Sequence, residues 1–252
     1  MRRSDGWPAS ILLVRHGESA GNVARDEAEA SGAAWIDIAE RDMDVALSEL
    51  GVRQAAAVGA WLADRDVDSP TVALTSPYVR ALTTATSALE AAGLDIELAV
   101  DERLREREFG VLDRLTKRGI EERFPDQAEA RARIGKFYHR PPGGESWCDV
   151  ALRVRSVVES VAREHAGEHV LVVAHQVVIL MFRYVLEQLT EEQILAIGRG
   201  QELSNCSITT FVHDPDLRDR GGMRLETFNE AVALEEAGAP VTSEPDAPVA
   251  PR

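Results

Sequence analysis

The sequence predicts an α/β fold: a three-layer sandwich with a mostly parallel central sheet and helices on both faces. Two observations indicate this class. Short apolar runs, such as residues 11–14 and 169–174, have the length of buried strands and are too short for buried helices. Longer segments with apolar residues at helical spacing alternate with these runs, a rhythm typical of parallel sheets that are covered on both faces.

The length and composition fit one large ordered domain. The chain has 252 residues, 44% of them hydrophobic, which suffices for a sizeable core. We expect a single domain over residues 1–230, with excursions near the functional site at 23–46 and 101–142. From residue 231 onward Ala, Glu and Pro dominate, so we expect 231–252 to form a disordered acidic tail.

Charge and apolar content limit the partners. The net charge of −15 disfavours nucleic acid, and an anionic substrate would need a local positive pocket. No apolar run approaches the ~20 residues that span a bilayer, and no signal-like apolar segment follows the first residues. We therefore expect no membrane contact and a cytoplasmic location; the sequence indicates no oligomeric state. Cys148 and Cys206 lie far apart and outside any CxxC pair, which argues against a disulfide framework or a zinc knuckle.

The individual elements follow from the same periodicities. Ser48 is expected to cap a helix, and Gly93 to stop a later one. The predicted strands lie at 11–14, 71–74, 96–100, 169–174, 207–213 and 223–228. The predicted helices follow Ser48 and lie at 78–92, 145–165 and 177–189, with one or two short helices in the charged stretch 101–142.

The first strand ends in Arg15, His16 and Gly17, and these residue types suit a phosphate pocket. The guanidinium of Arg15 offers a planar fork of donors that matches phosphate oxygens. A ring nitrogen of His16 can attack phosphorus, and Gly17 lets the backbone lie close to a bound anion. Ligand sites in open α/β sheets lie at this end of the strands. A histidine in this place is also often structural, so further members of the site are needed.

The segment LVRHGES at residues 13–19, with Asn22 just beyond, resembles the signature of the histidine phosphatase superfamily, which includes the cofactor-dependent phosphoglycerate mutases. The resemblance implies a phosphoglycerate mutase-like fold and a nucleophilic histidine at His16. It implies no cofactor and no metal, because cationic side chains take the place of a metal ion.

Two further segments place a histidine and an arginine near this site. His175 follows the strand at 169–174 just as His16 follows the first strand, so one parallel sheet would bring both to the same edge. The segment TSPYVRALTT at 75–84 resembles the family's second arginine motif and assigns Arg80 to it. Helix amino termini favour anions. A core histidine and a surface arginine are the structural alternatives.

The proton donor is expected in a charged block. Residues 104–110, LREREFG, resemble the family segment L-x-E-x-x-x-G, and Glu106 fits its spacing where Glu102 and Glu108 do not. Burial near an anion would raise the pKa of Glu106, as a general acid working near neutrality requires. A solvated charged loop is the alternative interpretation.

Three other features accompany these motifs. The stretch around Glu145, Gly-Glu-Ser, resembles an architectural element that precedes a long helix. Gln176 stands where many relatives have glycine, so its amide either binds a phosphate oxygen or narrows the pocket. The stretch 112–142 is locally basic and either covers the site or forms a solvated helical face.

The phrase Arg-Glu-Phe-Gly, the stretch before Glu145 and Asn205-Cys206 resemble the phosphatase-type branch of the superfamily more than the glycolytic mutases. The resemblance therefore implies a metal-independent phosphatase that acts on a small phosphorylated substrate through a phosphohistidine intermediate. The predicted catalytic residues are His16, Glu106, His175, Arg15 and Arg80, and the predicted substrate-binding residues are Arg15, Asn22, Arg80 and Gln176. The alternatives are phosphoglycerate mutase-type phosphoryl transfer, a non-catalytic phosphate-binding regulatory protein, and a metallohydrolase.

Overall fold

A computed structural model describes residues 6–64, 69–200, 202–220 and 222–243. Within these residues six strands form one sheet with the order β3-β2-β4-β1-β5-β6. Neighbours among the first four strands in this order are parallel, whereas β5 runs antiparallel to β1 and to β6. The strands are β1 (Ser10–Arg15), β2 (Val72–Thr75), β3 (Leu98–Val100), β4 (His169–Ala174), β5 (Ile208–His213) and β6 (Met223–Glu230). The predicted fold class is confirmed.

Helices cover both faces of this sheet. Helices α6, α7 and α8 pack on one face, and α2, α3 and α9 pack on the other. The helices are α1 (Ala20–Ala30), α2 (Glu49–Ala63), α3 (Val79–Ala92), α4 (Lys117–Arg123), α5 (Pro125–Ile134), α6 (Trp147–Glu164), α7 (Gln176–Leu186), α8 (Glu191–Gly200) and α9 (Val232–Ala237). Among the described residues, none of these helices has both the length and the apolarity needed to cross a membrane.

The strand β1 is apolar on both sides because each side meets a helical layer. Ile11 and Leu13 point toward α6 and α7, while Leu12 and Val14 point toward α2 and α3. All four side chains are at most 1% exposed. Each such burial stabilises the fold by about 1.5–3 kcal/mol, so the strand is fixed firmly and the residues that follow it are held in place.

The predicted helix ends are largely confirmed. The side chain of Ser48 accepts a hydrogen bond from Gly51 N, and Gly93 ends α3 with a left-handed φ of 66°. Helix α6 begins at Trp147 because Ser146 and Asp149 form a capping box, so Glu145 lies before the helix.

Two helices that precede the expected tail were not anticipated from the sequence. The segment 23–46 was expected to be irregular, yet α1 begins just before it, at a capping box formed by Ser19 and Asn22. Asn22 and Ala28 are its buried residues. Helix α8 likewise buries Ile194 alone among its residues. Both helices lie at the surface and bury few side chains.

The expectation of a disordered tail from residue 231 is wrong for residues 231–243. Helix α9 buries Ala233 and Leu234 in the core layer that contains α2. Beyond it, Gln54 Nε2 donates to the carbonyl of Pro240 at 2.9 Å, and Asn205 N donates to Thr242 O at 2.8 Å. Two apolar side chains and these hydrogen bonds outweigh the polar composition of the segment. Residues 244–252 lie outside the described residues.

The loop after β1 packs backbone to backbone against the start of α2. A Cβ added to Gly17 would lie 2.6 Å from Gly51 O, and one added to Gly51 would lie 2.0 Å from Glu18 O. The small size of Gly17 is therefore required by its contact with α2.

Replacing Gly51 by alanine is expected to lower the free energy of unfolding by about 2–3 kcal/mol, because the new methyl group must displace backbone. Urea denaturation measures this change. Gly200→Ala is the matched control, since a Cβ there meets no atom within 4 Å. An equally small effect of both substitutions would contradict the close packing of this loop.

Candidate active site

The two histidines predicted for the site follow neighbouring parallel strands. Arg15 at the end of β1 pairs in register with Ala174 at the end of β4, so His16 and His175 leave the same edge of the sheet. Their ring centroids are 5.1 Å apart, with an angle of 60° between the ring planes. Both rings are buried.

The ring of His16 is held in one tautomer. Its Nδ1 lies 2.7 Å from the carbonyl oxygen of Gly17. A carbonyl can only accept, so Nδ1 carries the proton, and Nε2 keeps its lone pair in the neutral ring. Burial, followed by the positive charges of Arg80 and Arg15, holds the pKa of His16 well below its usual value of 6.5. The ring is therefore a neutral imidazole near neutral pH.

The backbone around His16 is supported from the loop that precedes β5. Asn205 Nδ2 donates to the carbonyl of His16 at 3.1 Å, and Cys206 N donates to the carbonyl of Arg15 at 3.1 Å. The Arg15 guanidinium donates through Nη1 to the carbonyl of Leu203. Residues distant in sequence thus fix both the nucleophile candidate and its neighbouring cation.

His175 is oriented by groups that follow β2. Its Nε2 is 2.8 Å from the hydroxyl of Ser76, and the ring of Tyr78 stands at its edge with centroids 5.1 Å apart. Burial and the nearby Arg80 hold the pKa of His175 well below 6.5, so this ring is also neutral. Sequence reasoning missed Ser76 and Tyr78, although both belong to the segment that assigned Arg80.

Arg80 lies in the first turn of α3 and its side chain is 6% exposed. The guanidinium stands over the Tyr78 ring at 4.9 Å. It is paired with Asp42, whose Oδ1 is 3.1 Å from Nη1 and whose Oδ2 is 3.2 Å from Nη2. Sequence reasoning also missed Asp42, which belongs to the acidic excursion at 23–46.

Glu106 is one of the carboxyl groups that line the pocket in front of His16. Burial among protein atoms raises its pKa to about 7 against the opposing effects of the Arg107 backbone N–H and of Arg80, and the Asp42 carboxylate adds to the rise. Glu108 instead accepts a hydrogen bond from the Tyr78 hydroxyl at 2.8 Å, and Glu102 is exposed. Among these three glutamates, Glu106 lines the pocket.

An ion-pair network holds the Glu106 loop in place. Glu145 pairs with Arg105 at 2.6 Å and with Arg153 at 3.0 Å. Arg153 in turn donates to the carbonyls of Arg103, at 2.6 Å, and Glu106, at 3.2 Å. Glu145 thus has the architectural place expected of the Gly-Glu-Ser element, and it acts through the loop that carries Glu106.

Replacing Glu145 by alanine is expected to lower the free energy of unfolding by about 2–4 kcal/mol, because it leaves the nearly buried Arg153 without its carboxylate. Chemical denaturation measures this loss. Glu122→Ala removes an exposed ion pair with Arg118 and serves as the control, with little change expected. Comparable losses in the two variants would contradict a structural role of the network.

The predicted residues surround one open pocket of about 840 Å³, a volume that includes its mouth. His16 and Glu106 line it together with the four residues predicted to bind substrate, Arg15, Asn22, Arg80 and Gln176. His175 stands behind, against the His16 ring. Both excursions contribute to the wall. Arg114 is the basic residue of the stretch 112–142 that lines the pocket, whereas Lys117 and Arg118 form exposed helical ion pairs.

Asn22 and Gln176 occupy different settings in this wall. The amide oxygen of Asn22 accepts from Ser19 N at 2.8 Å as part of the α1 cap, so a phosphate contact would fall to its amide nitrogen. Gln176 is the first residue of α7 and is buried. Its side chain therefore stands at a helix amino terminus, where anions are favoured.

Comparison with known proteins gives relatives over most of the chain. A 2,3-bisphosphoglycerate-dependent phosphoglycerate mutase from Sinorhizobium fredii is 35% identical over 201 residues, covering 75% of this chain and 84% of the mutase. A mutase of the same name from Methylobacterium radiotolerans is 37% identical over 187 residues, covering 73% and 82%.

Solved structures give the same fold with a different named activity. A mycobacterial glucosyl-3-phosphoglycerate phosphatase is 29% identical, with a TM-score of 0.68 over 88% of this chain and 98% of its own. The model of the histidine phosphatase superfamily (branch 1) matches residues 11–230. The chain therefore belongs to the histidine phosphatase superfamily.

Proposed function

We propose that this protein is a metal-independent phosphatase that hydrolyses a phosphate monoester through a phosphohistidine at His16. One observation carries the proposal most directly. The proton of His16 is fixed on Nδ1 by the Gly17 carbonyl, so Nε2 of a neutral imidazole is available beside two guanidinium groups and a carboxyl group with a pKa of about 7.

In the first step, His16 Nε2 attacks phosphorus in line with the ester oxygen. The Nε2–P bond forms as the P–O ester bond breaks, and protonated Glu106 gives its proton to the departing alkoxide. Arg15 and Arg80 hold the non-bridging oxygens, with Asn22 and Gln176 as further contacts, while His175 packs against the His16 ring. Positioning and charge stabilisation are the main sources of catalysis in phosphoryl transfer.

In the second step, water attacks the phosphohistidine. Glu106 is now a carboxylate and takes a proton from this water as the new O–P bond forms and the P–Nε2 bond breaks. Inorganic phosphate and neutral His16 result. The pKa of about 7 suits both roles, because the carboxyl group must be an acid in one step and a base in the next.

A mutase remains the second candidate, favoured by the names of the relatives from Sinorhizobium and Methylobacterium. It would use the same residues and return the phosphoryl group to another hydroxyl. The sequence lacks the Arg-Arg-Ser-Phe-like stretch of the glycolytic mutases. The structural similarity to the mycobacterial phosphatase covers 98% of that phosphatase's chain. Hydrolysis is therefore the function that we favour.

Phosphate release tests this proposal. The protein is incubated without added metal and with a chelator over sugar phosphates, phosphoglycerates, nucleotides and phosphoamino acids, and inorganic phosphate is measured. We expect phosphate release that the chelator leaves unchanged. Isomerised phosphoglycerate without phosphate release would indicate a mutase. Loss of activity with the chelator would indicate a metallohydrolase, and no reaction with any ester would favour a non-catalytic binding protein.

A further inference from the structure

Asp42 contacts the guanidinium of Arg80, which is proposed to hold the phosphate. Its side chain pairs with both terminal nitrogens of Arg80, and its backbone carbonyl accepts from Nη1 at 2.5 Å. The two hydrogen bonds among these contacts, from Nη1 to the carbonyl and from Nη2 to Oδ2, use two of the five N–H donors of an arginine. A phosphate that binds the remaining donors therefore lies directly beside the Asp42 carboxylate.

The alcohol part of the substrate must also lie near Asp42. Glu106 has to reach the ester oxygen in order to protonate it, and Asp42 lines the same pocket wall, close enough to raise the pKa values of both Glu106 and Asp113. The leaving group therefore meets the Asp42 carboxylate as it passes the proton donor.

Acidic groups outnumber basic ones in the rest of the described pocket wall. Outside the residues proposed to handle the phosphate, the charged lining consists of Glu40, Asp42 and Asp113 against Arg25 and Arg114. The Arg114 guanidinium is committed to backbone, since it donates to the carbonyls of residues 38, 39 and 40 at 2.9, 3.3 and 2.9 Å. The remaining wall includes the apolar side chains of Ile36, Ile38, Val45, Phe109 and Val177.

On the basis of the phosphatase function above, we propose that Asp42 is a specificity-determining residue. It selects phosphate monoesters of neutral or cationic alcohols and rejects esters whose alcohol carries a carboxylate or a second phosphate. Like charges at this distance in a partly buried site repel each other, and a positive group in the alcohol would instead be attracted. Such a preference would separate this chain from relatives named for phosphoglycerates.

The test uses three phenyl phosphates that differ in the para substituent: carboxylate, carboxamide and aminomethyl. We expect the wild-type protein to favour the carboxamide over the carboxylate by at least tenfold in kcat/KM, equivalent to about 1.4 kcal/mol, with the aminomethyl ester at least as good as the carboxamide. Asp42→Asn keeps the shape and the backbone contact with Arg80, so the ratio of carboxamide to carboxylate should fall at least tenfold.

Asp44→Asn is the matched control, because Asp44 is exposed on the same short 3₁₀ turn, Asp42–Asp44. This variant should keep the wild-type ratio. A ratio in Asp42→Asn within twofold of wild type, or an equal shift in Asp44→Asn, would overturn the selectivity while the phosphatase proposal stands. No hydrolysis of any of the three esters by wild-type protein would overturn the phosphatase proposal, and this inference with it.

Discussion

Replacing His16 by alanine is expected to lower kcat for phosphate ester hydrolysis by ~10⁴-fold or more, as removal of a covalent nucleophile does in enzymes that form an intermediate. The structure leaves Nε2 of His16 available by placing the proton on Nδ1. The ring centroid of His175 lies 5.1 Å from that of His16, but Nε2 of His175 is hydrogen bonded to Ser76, so this histidine is not placed to substitute for His16. Initial-rate measurements of phosphate release, with wild-type protein as reference, determine the loss.

A matched histidine control separates this effect from a loss of folding. His169 begins β4 at the opposite end of the same strand pair, and its Nδ1 is 2.8 Å from the hydroxyl of Ser10. His169→Gln should retain near wild-type activity. If His16→Ala kept more than a tenth of the wild-type rate while its circular dichroism spectrum matched that of the wild type, His16 would not be the nucleophile.

Replacing Glu106 by glutamine is expected to lower kcat/KM for alkyl phosphates by ~10²–10⁴-fold, the range of a general acid. An alkoxide leaves slowly without a proton, whereas a nitrophenolate leaves readily without one. The loss should therefore be much smaller for p-nitrophenyl phosphate. The ratio of the two losses, measured by steady-state kinetics, isolates proton donation from general damage to the pocket.

The same variant should change the pH profile. The pKa of Glu106 is about 7, and the first step needs the protonated form, so kcat/KM for an alkyl ester should fall as the pH rises above 7. His16 stays neutral below that pH because its own pKa is well below 6.5. Glu106→Gln should abolish the alkaline fall, and dividing one profile by the other cancels the ionisation of the substrate.

Glu102→Gln is the control for this experiment, because Glu102 is exposed in the same charged block. It should keep both the rate and the alkaline fall. An unchanged alkaline limb in Glu106→Gln, or an equal loss on alkyl and nitrophenyl esters, would contradict the role of Glu106 as proton donor.

Much of the site could be predicted because its main members follow strong local signals. His16 and His175 each end an apolar strand, and the neighbouring positions of β1 and β4 in a parallel sheet then bring them together. Arg80 and Glu106 needed the motif resemblance, since an arginine in a helix and a glutamate in a charged block carry no signal of their own.

The partners of these side chains could not be predicted, because they depend on tertiary packing. Nothing in the local sequence shows that Asp42, from the acidic excursion, lies against Arg80, or that Ser76 meets the second histidine. The same holds for Gly17, whose small size is required by its contact with α2.

The extent of burial set similar limits for the fold. Helices that bury many apolar side chains, such as α6, were found, and surface helices that bury few, such as α1, were missed. Helix α9 was missed although its Ala and Glu residues favour helix, because only two of its side chains are buried. Contacts with α2 order it, and such contacts are not visible in the local sequence.

The central claim is that His16 carries the phosphoryl group between the two steps. The most direct test is to mix the protein with a phosphate ester that it turns over, to stop the reaction rapidly without acid, and to locate the bound phosphate by peptide mapping. The account predicts one phosphate on the peptide that contains His16, stable in base and lost in acid, and absent from His16→Ala. Turnover with no protein-bound phosphate, or with the phosphate on any other residue, would contradict it.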